Sequence, residues 1–377
     1  MNKRFTCKII VLVLLTATPL FADLQYNVNN TNYTINQNDT TYNYDRLRLR
    51  NDYTNGSYYA TFIGDVVNYY GGSYINSQDF TFVKTQKSDT AYETQSGFHD
   101  YGEGAVTTKV YRLYGGYQDE KNNVVAGLQN IPMGVGKFWN PTNIFNPQNI
   151  YALEPDEVFG VMALSYTRSL GTLSSINVVA SQKEDSSFKY ALRYKNFIKF
   201  ADFAFDVVKS DDTTMLGYEL QGNVGSTGIE LQSEGAYIDS SLYADENRTE
   251  KQRFYQITLG ADYGFVNGIT LTAEALYSSK KFDYSQISLN YNSEVLTNLT
   301  DSNLYAGASV SYDFNIFLSG SATYIGSLNG SNSRFFSPKV TYTLNDYNSF
   351  TLGAMLYDSS GAQKYPDTYY FNYTLSF

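Results

Sequence analysis

The chain ends in a nine-residue segment, 369–377, in which apolar and polar side chains alternate strictly. Successive side chains of a β-strand point to opposite faces, so this segment predicts a strand with one apolar face and one uncharged polar face. Such a strand suits the boundary between lipid and water, although a strand of a soluble β-sandwich can alternate in the same way. We interpret its apolar face as a C-terminal assembly signal, formed by Tyr369, Phe371, Tyr373, Leu375 and Phe377.

Residues 1–22 have the pattern of a cleavable secretory signal peptide. Three basic residues precede an apolar run, 9–15, that is too short to cross a membrane as a helix. Cys7 precedes this run, so it is expected to leave with the signal. The remaining 355 residues then contain no cysteine and carry 24 basic against 37 acidic residues, a net charge of −13. This balance argues against nucleic-acid binding and against cytoplasmic redox chemistry.

The composition favours insertion into a membrane as a β-barrel. The chain has 37 Tyr and 24 Phe but 7 Pro, and aromatic residues at this density are typical of the two interfacial girdles of a transmembrane barrel. About seventeen strand-like runs follow Tyr44, and an even number of strands requires one more, which we expect within 24–35. The predicted fold is an all-β transmembrane antiparallel barrel of about eighteen strands. In the alternative of sixteen strands, 27–43 forms an inward tail.

The predicted domain organisation is therefore a signal peptide (1–22), an N-terminal segment (23–43) that is either the first strand or a tail, and a barrel (44–377). Short turns and long loops are expected to alternate strictly, with the short turns on the periplasmic side and the long loops outside. The predicted turns are 119–123, 169–171, 196–199, 225–227, 265–268, 313–315 and 345–348. The predicted loops are 71–107, 131–157, 239–251, 279–301, 326–334 and 358–366.

Charged residues occupy the positions that alternation assigns to the lumen. Arginine on the lipid face near the midplane would cost about 2–4 kcal/mol, so the strand with the sequence RLRLR is expected to direct its leucines outward. The predicted basic wall consists of Arg46, Arg48, Arg50, Arg112, Lys189, Arg193 and Lys195. The predicted acidic wall consists of Asp202, Asp206, Glu219, Glu230, Glu234 and Glu274.

Two readings of these walls stay open at the level of the sequence. Opposed walls would create a transverse field that orients solutes and selects among ions. Alternatively, the charges pair with their neighbours and only solvate the interior.

The loop 131–157 is too apolar to extend into water. It holds the only tryptophan of the chain and two Asn-Pro pairs, which favour turns. We expect it to fold against the barrel mouth or into the lumen as a constriction; the alternative is a cap on the rim. The candidate constriction residues are Phe138, Trp139, Asn140, Pro141, Asn143, Phe145, Asn146 and Pro147.

The run from Gly127 to Pro147, with FWNPTNIFNP at its end, resembles a strand-and-loop motif of porin-like outer-membrane proteins of Gram-negative bacteria, in the style of the alginate-export channels. The resemblance covers about twenty residues and implies a single-chain channel of about eighteen strands for small solutes. Those relatives often carry Asp where this chain has Asn143, and their substrates differ, so the resemblance does not indicate the substrate.

The combined expectation is a passive channel of the outer membrane for small hydrophilic solutes or ions, cation-preferring, without cofactor or metal. The expected partners are the lipid bilayer, lipopolysaccharide, the barrel assembly machinery and solutes; the sequence also permits a homotrimer. A fatty-acid-type barrel with 24–43 as a hatch and a surface adhesin with loops 71–107 and 279–301 are the alternatives. An enzyme is disfavoured because His99 is the one histidine and its neighbours Ser96, Asp100 and Glu103 are ordinary loop residues.

Overall fold

The computed structural model describes residues 23–330, 332–358 and 365–377, so the predicted signal peptide lies outside the described residues. The β-strands are β1 (Asp23–Gln37), β2 (Thr40–Asn55), β3 (Tyr58–Tyr70), β4 (His99–Tyr101), β5 (Gly104–Gln118), β6 (Asn122–Gln129), β7 (Val161–Ser169), β8 (Ser175–Gln182), β9 (Phe188–Ile198), β10 (Ala201–Lys209), β11 (Thr213–Asn223), β12 (Ile229–Asp245), β13 (Arg248–Gly264), β14 (Thr270–Ser278), β15 (Leu304–Asp313), β16 (Leu318–Asn329), β17 (Arg334–Asn345), β18 (Asn348–Asp358) and β19 (Thr368–Ser376).

Eighteen of these strands form a closed antiparallel barrel, as predicted. Each barrel strand pairs with its neighbours in the chain, β3 pairs with β5, and β1 closes the barrel by pairing with both β2 and β19. Short β4 pairs with β5 beside this ring. Since 23–37 is a barrel strand, the sixteen-strand alternative with an inward tail is wrong.

The strict alternation of short turns and long loops is also wrong. At the end of the barrel that carries the long loops, four connections are tight: 38–39, 183–187, 210–212 and 246–247. The predicted loop 239–251 is instead the tip of a long hairpin, because β12 and β13 continue to Asp245 and Arg248. Most side chains of these strand ends are polar, which hides the strand ends in the sequence, but a ladder of hydrogen bonds and an Asp239–Arg253 ion pair of 2.8 Å stabilise them.

The outer surface is apolar and the inner surface polar, as in a membrane-spanning barrel. In β2, the outward residues Leu47 and Leu49 are 45% and 41% exposed. Arg46, which lies between the barrel wall and the loops, is 5% exposed. In β19, Tyr369 and Phe371 face outward. Among the described residues, no helix has the length and apolar character needed to cross a membrane.

The long connections pack on the barrel at one end. The connection 71–103 contains helices α1 (Gly72–Ile75) and α2 (Gln78–Thr85), and the connection 279–303 contains α3 (Tyr284–Leu289) and a 3-10 helix (Leu296–Asn298). Most buried apolar side chains lie in two clusters that combine the inward faces of the strands with the connection 130–160, which is called the lumen loop below. A third cluster joins the connection 71–103 to β5.

Candidate functional site

The lumen loop enters the barrel and packs against its inner wall. Ile144 and Phe145 are buried in a cluster with apolar residues of β7–β13, and Phe138 is buried in a second cluster with Leu276 of β14 and Tyr305 of β15. Of the predicted constriction residues, Phe138, Pro141, Asn143, Phe145 and Asn146 are buried, and Trp139, Asn140 and Pro147 are half-buried.

Asparagine side chains hold the lumen loop in its shape. Asn146 accepts a hydrogen bond from the Ile131 N–H (2.6 Å) and donates to the Phe159 carbonyl (2.5 Å). Asn143 donates to the Asn146 carbonyl (2.9 Å). These bonds join the entry, the middle and the exit of the loop. They therefore hold its backbone, including the Asn-Pro turns, in one fixed shape.

Three buried glutamates of the predicted acidic wall fasten this loop. The Glu234 carboxylate accepts the backbone N–H groups of Val135, Gly136 and Thr142 (2.8, 3.1 and 2.7 Å) and the Thr142 hydroxyl (2.6 Å). Such charge-assisted bonds are about twice as strong as neutral ones. Glu234 therefore acts as an anchor for the backbone, not as an exposed wall charge.

Glu274 and Glu219, on either side of Glu234, also fasten the lumen loop by accepting its backbone N–H groups. Glu274 accepts from the backbone N–H groups of three successive residues, 137–139, at 2.7, 3.3 and 2.9 Å. Glu219 accepts the Gly134 N–H (2.7 Å). Gly134 has φ +90, and a Cβ there would lie 2.7 Å from Glu234, so glycine is required at this contact.

Basic residues of the wall bind carbonyl groups of the same loop. Lys189 donates to the Ile144 carbonyl (2.9 Å), Arg193 to the Pro132 carbonyl (3.0 Å) and Arg112 to the Val158 carbonyl (2.9 Å). Arg193 also pairs with Glu219 and, at 3.5 Å, with Asp206.

The arginine strand pairs with the exit of the lumen loop. Arg46 binds Glu154 through two bonds of 2.8 Å, and Arg48 binds Glu157 and the wall residue Asp65. Burial raises the pKa of the Glu154 carboxyl, and the charge of Arg46 offsets this only in part. Burial acts in the same direction on Glu157, but hydrogen bonds from Arg48 outweigh it and hold the pKa of that carboxyl below its usual value.

The other predicted wall charges lie nearer to solvent, and each has a partner. Arg50 pairs with Asp52 (2.5 Å) and Lys195 with Asp202 (3.9 Å). Glu230 pairs at 3.9 Å with Lys137 of the lumen loop. The predicted charges thus either form ion pairs or, like Glu234, Glu274 and Arg112, bind backbone groups of the lumen loop.

The sequence analysis did not identify the acidic residues of the connections that pair with basic residues of the barrel wall. Glu154 and Glu157 belong, with Asp156, to an acidic group at the end of the loop, which is a signal that could have been used. Glu294, in the connection 279–303, binds Lys183 (2.7 Å) and Lys189 (3.7 Å), and no local pattern indicates this. His99 lies in β4 with its side chain exposed. Within the described ranges, no group of His, Cys, Asp or Glu could hold a metal ion.

A cavity of about 790 Å³ lies between the lumen loop, the connection 279–303 and the wall of β14–β18. Its volume is within the range of small-molecule sites. Tyr357 donates to the Tyr151 carbonyl (3.0 Å) and so attaches the lumen loop to this wall as well.

No family model and no curated protein matches the chain. Solved structures do: the outer membrane protein OpdK from Pseudomonas aeruginosa (9% identity, TM-score 0.58, covering 94% of this chain and 99% of that one), OccK11 (OpdR) from the same organism (11%, 0.60, 94% and 95%) and OccAB1 from Acinetobacter baumannii (10%, 0.60, 94% and 96%). At these identities the likeness establishes a shared fold: the chain has the closed eighteen-stranded barrel of outer-membrane porins.

Proposed function

We propose that the protein is an outer-membrane channel for passive diffusion of small hydrophilic solutes or ions. The observation that carries the proposal is the lumen loop, which is pinned inside a closed barrel by buried glutamates on one side and by arginines on the other. A loop fixed in this way narrows a pore without sealing it if part of the wall stays uncovered.

The wall formed by β15–β19 supports an uncovered path. The inward positions of β15–β19 are largely hydroxyl residues that are only half-buried, and some bond to one another across strands. The hydroxyl oxygens of Ser309 and Thr323 are 3.0 Å apart, and those of Thr341 and Thr351 are 2.9 Å apart. Small polar side chains of this kind line a water-filled passage at low energetic cost.

We further propose that the channel prefers cations, since the mature chain is acidic, with a net charge of −13. Export would use 1–22 as a signal peptide. The bilayer, lipopolysaccharide and the barrel assembly machinery would be its partners, and a trimer fits the apolar outer surface. The resemblance of the loop motif to alginate-export channels does not indicate which substrate the channel passes.

The test is single-channel conductance of the refolded mature protein in planar bilayers, with the reversal potential measured across a salt gradient. We expect discrete ohmic steps and a reversal potential of the sign that a cation-preferring pore gives. A folded barrel without conductance would contradict the proposal and favour a hydrophobic-substrate barrel or an adhesin. Anion preference would contradict the selectivity alone.

A further inference from the structure

The cavity between the lumen loop, the connection 279–303 and the barrel wall has features of a ligand-binding site, which a passage for ions alone does not require. Its walls hold a group of aromatic rings contributed by the loop and the barrel. The ring centroids of Trp139 and Tyr305 lie 6.0 Å apart, those of Tyr151 and Phe335 5.2 Å, and those of Phe335 and Tyr357 5.0 Å. A molecule that enters here therefore meets flat apolar surfaces first.

Two buried polar atoms in the same wall have no hydrogen-bond partner. The Asn298 side chain donates to the Pro141 carbonyl (3.1 Å) and to Gln256 (2.9 Å), but its Oδ1 accepts nothing. The Thr300 hydroxyl is also without a partner. Asn298 is 2% exposed and Thr300 9%. An unsatisfied buried polar group costs about 1–3 kcal/mol, so both atoms favour a ligand that supplies the missing bonds.

The charges around the cavity argue against an acidic ligand. Asp283, Asp301 and Asp358 line it, against Arg334. Asp283 caps α3 by accepting the Gln286 N–H (2.9 Å), and Asp301 accepts the Tyr305 hydroxyl. Asp283 and Asp301 thus serve protein donors, and the two unsatisfied atoms are an amide oxygen and a hydroxyl. Both are suited to an uncharged hydroxyl group.

We infer that the cavity is a binding site for uncharged ring compounds that carry several hydroxyl groups, of which sugars are the typical case. One face of such a ring packs on the aromatic side chains, and its hydroxyl groups bond to Asn298 and Thr300. The inference rests on the proposed function for its claim that the ligand is also a permeating solute. The hydroxyl-rich wall of β15–β19 then continues the path toward the other end of the barrel.

Trp139 is the only tryptophan of the chain and lines the cavity, so its fluorescence reports binding directly. The folded barrel is titrated in detergent with sucrose, and in parallel with benzoate and with choline, under excitation selective for tryptophan. We expect a saturable change with sucrose and none with the two ions. Thr300→Val removes a hydroxyl that makes no bond in the protein, and should weaken sucrose binding about five-fold, the value of roughly one net hydrogen bond.

Thr343→Val is the matched control, since Thr343 is an inward hydroxyl residue of β17 that does not line the cavity. The inference is overturned if a folded barrel gives no response to sucrose, if benzoate or choline binds more tightly, or if Thr300→Val binds sucrose as the unaltered protein does. Conductance of the same preparation separates the two proposals. Conductance without sucrose binding would contradict the binding site and support the channel. Sucrose binding without conductance would support the site and contradict the channel.

Discussion

At the scale of single residues, Glu234 is the clearest case of an inward charge with a structural task. Its two oxygens accept four hydrogen bonds from the lumen loop, three of them from backbone N–H groups. Glu234→Gln replaces one acceptor oxygen by a donor, so at least one buried N–H loses its partner, at a cost of about 1–3 kcal/mol. We expect a larger and noisier single-channel conductance and a lower thermal midpoint.

The matched control is Glu230→Gln on the same strand. Glu230 is partly exposed and accepts from Gln221 (2.8 Å), with Lys137 at 3.9 Å. This variant should keep the conductance and the midpoint of the unaltered protein. If the two variants behave alike, Glu234 does not fasten the loop.

The inward direction of Glu234 could be predicted from the sequence, but its partner could not. Side chains alternate along a strand, so Leu47 and Leu49 assign Arg46 to the lumen, and Ile229 and Leu231, five and three positions before Glu234, assign Glu234 to it. The donors to Glu234 lie 92 to 99 residues away along the chain. Nothing in the local pattern of either segment specifies such a pairing, because it depends on how the loop folds back.

At the scale of elements, Glu294 attaches the connection 279–303 to the barrel. Burial opposes its ionisation, but the charge of Lys189 and a hydrogen bond from Lys183 outweigh burial and hold the pKa of Glu294 below its usual value. A carboxyl with a lowered pKa stabilises the fold at pH values above its unfolded pKa of about 4.3. This contribution is lost as the pH falls through the folded pKa.

The prediction is that Glu294→Gln lowers the thermal midpoint at pH 7 and has a smaller effect at pH 3. The measurement is the midpoint of unfolding of both proteins across this range. Asp211→Asn, at the exposed tip of 210–212, controls for a change of charge alone and should leave the midpoint at pH 7 nearly unchanged. A difference between Glu294→Gln and the unaltered protein that persists undiminished at pH 3 would refute the ionic attachment.

The element boundaries that sequence analysis missed also have a physical cause. Periodicity identifies a strand by contrast between its faces, and this contrast exists only where one face meets lipid. At 239–251 most side chains on both faces are polar, and Leu242 and Tyr243 are too few to give the continuation of β12 and β13 beyond the apolar band such a signal. Backbone pairing and the Asp239–Arg253 ion pair stabilise it all the same.

At the scale of the whole molecule, the proposed cation preference depends on the distribution of charge in the lumen. Arg46 and Arg48 neutralise Glu154 and Glu157, so replacing Arg46, Arg48 and Arg50 together by glutamine removes three positive charges and leaves carboxylates unpaired. We expect the reversal potential in a salt gradient to shift toward greater cation preference. Arg168→Gln, on the outward face of β7, should have no effect. Unchanged potentials in the triple variant would exclude a field across the pore.

Closure of the barrel depends on the chain ends. Phe377 donates its N–H to the Val28 carbonyl (2.8 Å) and accepts the Val28 N–H (3.1 Å), so the last residue extends the pairing of β1 with β19. These are backbone bonds, which a change of side chain preserves. The Phe377 side chain itself is 66% exposed. Its aromatic ring therefore contributes little to packing within the folded molecule.

If this ring is part of an assembly signal, its removal should affect insertion in cells and not the stability of the folded barrel. We expect Phe377→Ala to reduce the amount of folded protein in the outer membrane several-fold, while the refolded variant keeps its conductance and thermal midpoint. Phe317→Ala, an exposed aromatic residue at the same end of the barrel, is the control and should assemble normally. Equal loss in both variants, or a lower midpoint for refolded Phe377→Ala, would mean that the ring acts through stability instead of recognition.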